Sequence, residues 1–231
     1  MSVTPELARL LEHPAIWRGR SAARTEVLPT GFAALDECLP GKGWPRTGLI
    51  EILVPRFGVG ELYLLFPMLA ALTHRPAARW CVWVAPPAYP IAASGLRPVD
   101  KKRDFCPLIP FAPTLAAHGM ALERVLVVRT ASPLWSFEQA LGSGASDVAM
   151  AWTRSARARE IRRLQLAAER GKTLGVLFRP QRAARESSPA ALRIALEPRL
   201  AGVSVTLLKS RGGARGSIEL AWTAGWPMAG S

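Results

Sequence analysis

Glu51-Ile52-Leu53-Val54-Pro55-Arg56-Phe57-Gly58-Val59-Gly60-Glu61-Leu62-Tyr63-Leu64-Leu65 decides how the rest of the chain is read. An apolar strand, Leu49 to Val54, runs into a turn containing Gly58 and Gly60, and then into an apolar helix expected from Glu61 to Leu72. Strand, glycine turn and helix in that order are the setting of a phosphate-binding loop. Such a loop needs glycines for close backbone approach, a lysine for the β- and γ-phosphates, and a Ser or Thr for Mg²⁺. Here Val59, Glu61 and Leu62 stand around the glycines, and no Lys, Ser or Thr follows them. Glu61 at a helix N-terminus opposes a phosphate placed where anions otherwise bind. Gly58, Gly60 and Glu61 therefore mark a degenerate nucleotide loop, one that keeps the architecture without the chemistry.

Working outward, apolar runs alternate with helical ones. Trp80 to Ala85, Val125 to Arg129, Val148 to Trp152 and Leu174 to Phe178 read as strands, and Leu134 to Leu141 and Ser155 to Arg170 as helices. Strands that are apolar throughout and separated by helices predict an α/β fold, a mostly parallel sheet with helices on both faces. Val203 to Lys209 and Ser217 to Trp222, joined by a glycine-rich turn, predict an antiparallel pair at one edge. Upstream, Thr4 suits an N-cap and Pro5 a first helical position, so an N-terminal helix with Leu7, Leu10 and Leu11 on its apolar face is expected. That stripe fits packing on its own domain or docking on a neighbouring protein. The chain divides into an N-terminal helix and linker over residues 1–27 and a core domain over 28–231.

At 231 residues with 49% hydrophobic content, the chain can bury a core. Its net charge is +13, carried unevenly: residues 150–231 hold 15 basic and 5 acidic residues. Arg154, Arg157 and Arg159 follow the strand ending at Trp152, and Arg179, Arg182 and Arg185 follow the strand ending at Phe178. Guanidinium forks suit phosphate, so these six are candidates for binding DNA; an acidic protein partner or a merely solvated face fits them as well. The aromatic interleaving of single-strand platforms is missing from these loops. Cys38, Cys81 and Cys106, with His13, His74 and His118, have no metal-ligand spacing, and no metal or cofactor is expected. No signal-peptide core and no run of about 18 apolar residues is present, so no membrane partner and a cytoplasmic location are expected.

Leu35-Asp36, followed by Leu39-Pro40-Gly41-Lys42-Gly43-Trp44-Pro45-Arg46-Thr47-Gly48, resembles the entry to a RecA-like core. The chain more closely resembles the ImuA family, RecA-related and SulA-related accessory factors of bacterial mutagenic translesion DNA synthesis. The stretches that carry this are His13-Pro14-Ala15-Ile16-Trp17-Arg18-Gly19, Leu28-Pro29-Thr30-Gly31-Phe32, Trp83-Val84-Ala85-Pro86-Pro87, Pro110-Phe111-Ala112-Pro113, Leu134-Trp135-Ser136-Phe137-Glu138-Gln139, Ile161-Arg162-Arg163-Leu164-Gln165 and Leu177-Phe178-Arg179-Pro180. The resemblance implies a RecA-like fold and a role in SOS-induced mutagenesis. It implies an ImuB-like Y-family polymerase homologue and an error-prone C-family DNA polymerase as partners, with RecA filaments and single-stranded DNA as further ones.

Compared position by position with an active RecA-like core, three catalytic places are empty. The loop lysine and threonine would fall at Gly60-Glu61 or Glu61-Leu62; the water-activating glutamate would fall at Pro86-Pro87; the metal-holding aspartate would close the strand at Trp152-Thr153. Phosphoryl transfer requires a positioned cation, Mg²⁺ and a water-orienting group. The sequence therefore predicts a non-catalytic accessory protein that is not an enzyme. Two alternatives stay open, a SulA-type cell-division inhibitor acting on the tubulin-like FtsZ and an ATP-dependent recombinase-like DNA-binding protein.

Overall fold

The computed structural model describes residues 26–86, 112–210 and 216–222. The N-terminal stripe of Leu7, Leu10 and Leu11 lies outside the described residues, as does Pro87. A short antiparallel pair, β1 (Val27–Leu28) and β2 (Trp44–Pro45), flanks the first helix, α1 (Ala33–Cys38). Among the described residues the main sheet has eight strands: β3 (Gly48–Val54), β4 (Trp80–Val84), β5 (Val125–Val128), β6 (Ser146–Trp152), β7 (Leu174–Pro180), β8 (Leu192–Arg199), β9 (Gly202–Ser210) and β10 (Gly216–Ala221). Their order is β10-β9-β8-β3-β7-β6-β4-β5. Every pair from β8 to β5 is parallel, and β8-β9 and β9-β10 are antiparallel. The expected mostly parallel sheet and its antiparallel extension are both present.

Helices cover both faces. Ile50, Ile52 and Val54 of β3 point to one side, where α1, α2 (Phe66–Thr73) and α3 (Ala112–Ala117) bury them. Leu49 points to the other side with Phe137 and Leu141 of α4 (Pro133–Gly142) and Ile161, Leu164 and Ala168 of α5 (Ala158–Gly171). Because β3 is closed off on both faces, its sequence shows no polar alternation.

One expectation needs correction, and one strand was not expected. The helix after the loop does not start at Glu61; residues 61–65 form turns and α2 begins at Phe66. Gly58 and Gly60 have φ of +85° and +92°, a backbone that cannot run directly into a helix, and a Cβ at Gly60 would meet the Tyr63 ring at 3.2 Å. The strand β8 had no counterpart in the sequence reading. It lies next to β3 and supplies Arg193 to the interior.

At the N-terminal edge of the strands, Asp147 of β6 accepts from Arg46 and Arg79. Arg79 also reaches the carbonyls of Gly144, Gly171 and Lys172, satisfying the ends of α4 and α5.

Candidate functional site

The loop after β3 is closed by its own side chain. Gly58 N–H donates to Glu61 Oε1 at 2.9 Å and to Oε2 at 3.0 Å, and Val59 N–H donates to Oε2 at 2.9 Å. From the end of β6 the Trp152 indole N–H points at Glu61 Oε1, 3.4 Å away. Glu61 is 3% exposed and forms no ion pair among the described residues. The three-residue step from Gly58 to Glu61 lets the carboxylate curl back over the amides. Glu61 was expected to oppose a phosphate from a helix N-terminus; instead it lies in the turn before the helix, and its carboxylate is itself the anion held on the Gly58 and Val59 amides.

Aromatic rings fill the space beside it. Trp152 stacks on Phe178 with centroids 4.7 Å apart and lies 5.9 Å from Trp83. Trp152 stands where the sequence comparison looked for a metal-holding acid, at the C-terminal end of β6, and Pro86 is buried just past β4. Among the described residues no three His, Cys, Asp or Glu side chains group as metal ligands.

The six candidate arginines do not all share one surface. Arg154, Arg157 and Arg159 are exposed, as are Arg182 and Arg185. Arg182 Nη2 donates to the Arg154 carbonyl at 2.9 Å, which ties the loop after β7 to the loop after β6. Arg179 lies inside instead, 1% exposed: it bonds Glu51 Oε1 at 2.8 Å, Glu186 Oε2 at 2.7 Å and the Ala156 carbonyl at 3.1 Å. A guanidinium so deeply buried offers no donor to DNA or a partner. Burial alone lowers the Arg179 pKa, but its bonds to Glu51 and Glu186 outweigh burial and hold it above the ordinary value.

Arg193 completes the buried cluster. Its Nε lies 2.7 Å from Glu51 Oε2 in ion-pair contact, and its Nη1 and Nη2 donate to the carbonyls of Glu186 and Ala183. Glu51, Arg179 and Arg193 thus clamp the 3-10 turn Gln181–Arg185, which carries Arg182 and Arg185, onto the sheet. Two arginines outside the six extend the exposed set: Arg56 after β3 and Arg129 after β5. Since β3, β5, β6 and β7 are parallel, Arg56, Arg129, Arg154, Arg157, Arg182 and Arg185 belong to one edge of the sheet. None of these six guanidinium groups forms an ion pair among the described residues, although the Arg157 backbone N–H donates to Glu160 Oε2 in the cap of α5. At the opposite end of the strands Asp147 pairs with Arg46 and Arg79.

No family model matches the chain. It is similar to the cell division inhibitor SulA of Photorhabdus laumondii, 28% identical over 133 residues, which are 56% of this chain. The match spans 63% of that relative's length. A solved structure of SulA from Pseudomonas aeruginosa matches 57% of the chain and 97% of its own length, with 24% identity and a TM-score of 0.40. No helix among the described residues is long and apolar enough to cross a membrane.

Proposed function

We propose that this chain is a non-catalytic, RecA-like accessory protein of SOS-induced mutagenic translesion synthesis, docking to an ImuB-like Y-family polymerase homologue and an error-prone C-family polymerase. The observation that carries the non-catalytic part is the Glu61 carboxylate seated on the Gly58 and Val59 amides, where a nucleotide phosphate would have to sit. The central parallel strand feeding that loop supports the RecA-like part. Similarity to SulA supports a place in the SOS response. On this reading the exposed arginine edge meets single-stranded DNA, a RecA filament or an acidic face of the partner.

A second reading, a SulA-type cell-division inhibitor, draws equal support from the 133 matched residues, since the relative carries that name. One experiment separates the two. The gene is deleted or overproduced in cells treated with a DNA-damaging agent, and induced mutation frequency and cell length are scored together. Deletion should lower induced mutagenesis, and overproduction should leave division intact. Filamentation on overproduction with unchanged mutagenesis on deletion selects the division inhibitor instead.

A further inference from the structure

We propose that Glu61 is a built-in substitute for a bound anion, holding the loop after β3 permanently in its filled shape without any ligand. The inference goes beyond the choice between a polymerase accessory and a division inhibitor, because it concerns how the loop is ordered in either. Three observations carry it.

The first is the charge balance. Glu61 is buried, yet among the described residues no Lys, Arg or His pairs with it. Among the described residues its negative charge is met by N–H dipoles alone: Gly58, Val59 and the Trp152 indole. That is how a backbone nest meets a phosphate or carboxylate, and it differs from the buried acid Glu51, which two arginines compensate.

The second is the backbone. Positive φ at Gly58 and Gly60 turns successive amides to one side of the chain. A loop that no longer served an anion would have no electrostatic reason to keep this arrangement, and here the anion is supplied from three residues away. The third is the far wall. Trp152 comes from a strand 91 residues on, stacks on Phe178, and directs its N–H at the same carboxylate. The Glu61 carboxylate and the Trp152 indole together close over the Gly58 and Val59 amides.

The geometry makes a definite chemical prediction. If Glu61 stands in for an anion, removing its side chain leaves two aligned amides that a free carboxylate or inorganic phosphate can take. The test uses the purified full chain, with hydrogen exchange at the Gly58 and Val59 amides as the readout. Wild-type amides should be protected and unaffected by added acetate or inorganic phosphate. Glu61→Ala should exchange at least about tenfold faster, and acetate or phosphate, but not chloride at equal ionic strength, should restore protection. Glu61→Gln keeps the size without the charge. It should fold, exchange faster than wild type, and gain nothing from added anions because the space is still filled. Where Glu61→Ala proves too unstable to measure, Glu61→Gln decides. Wild-type protection in either variant, a loss in Glu61→Ala that no anion restores, or a phosphate response in the wild-type protein overturns the proposal. Since the readout is exchange in purified protein, failure of either cellular role leaves the test unaffected.

Discussion

Arg179 Nη1 lies 2.8 Å from Glu51 Oε1 across two adjacent parallel strands, with both side chains closed off from solvent at 1% and 0% exposure. Arg193 approaches the other carboxylate oxygen from β8. Breaking a buried pair leaves an uncompensated charge and costs about 3–5 kcal/mol. Glu51→Ala should therefore lower stability by about that amount in urea unfolding, because it leaves buried Arg193 with no carboxylate and Arg179 with Glu186 alone. The same variant should loosen the turn at residues 181–185, which Arg193 anchors through Ala183 and Glu186. A loss below about 1 kcal/mol would show that the cluster is not a clamp.

Asp147 sets an acid limit on stability. Burial alone would raise its carboxyl, but the Arg79 backbone N–H and the Arg46 and Arg79 guanidinium groups outweigh that and hold it below the usual 3.8. A carboxyl with a depressed folded pKa contributes stability that is fully present above the unfolded value and is lost as pH falls through the folded one. Melting temperature should therefore drop as pH falls below 3.8. Asp147→Asn should be less stable than wild type at neutral pH, with the gap between them narrowing in acid. Equal gaps at pH 7 and at pH 3 would contradict this assignment.

The strands of the parallel core were legible because burial on both faces writes them as apolar runs, unbroken in Val148 to Trp152 and interrupted by Glu51 alone in Leu49 to Val54. β8 was not, because Leu-Arg-Ile-Ala-Leu-Glu-Pro-Arg mixes charges with apolar residues and follows a Ser-Pro loop. Its Arg193 points inward, which only the partner Glu51 explains. A signal was available: a glutamate inside an apolar central strand must find a cation, since buried charges persist only when paired. That requirement, applied to Glu51, would have drawn one or more nearby arginines, Arg179 among them, out of the surface set. The role of Glu61 was hidden for a different reason. Its charge was readable, but whether it repels an anion or replaces one depends on the turn that brings it back over Gly58.

Nucleotide turnover should be absent. Glu61 fills the loop, Pro86 stands past β4, and Trp152 closes β6 where a metal-holding acid is needed. Purified protein with Mg-ATP, with and without single-stranded DNA, should release phosphate at the rate of a protein-free blank. Release that survives repurification and disappears in Gly60→Pro would restore the recombinase-like reading.

The exposed arginines should bind a phosphate backbone in a salt-dependent way. Arg154, Arg157, Arg182 and Arg185 occupy two loops joined by the Arg182–Arg154 bond, and Arg56 and Arg129 belong to the same edge. At this edge Trp152 and Phe178 are buried, whereas Trp135 in the first turn of α4, which follows Arg129, is exposed; the loop arginines themselves offer charge and forked donors. Binding should consequently come from counterion release, with log K falling against log salt at a slope of about −0.7 per phosphate neutralised on a single strand. Replacing Arg154, Arg157, Arg182 and Arg185 with Ala should flatten that slope and weaken binding uniformly across sequences. Arg179→Ala should act differently: it should lower the melting temperature, because Arg179 holds Glu51 and Glu186 and offers nothing to solvent. Undetectable binding of wild-type protein at about 50 mM salt, where phosphate contacts are strong, would assign the edge to an acidic protein instead.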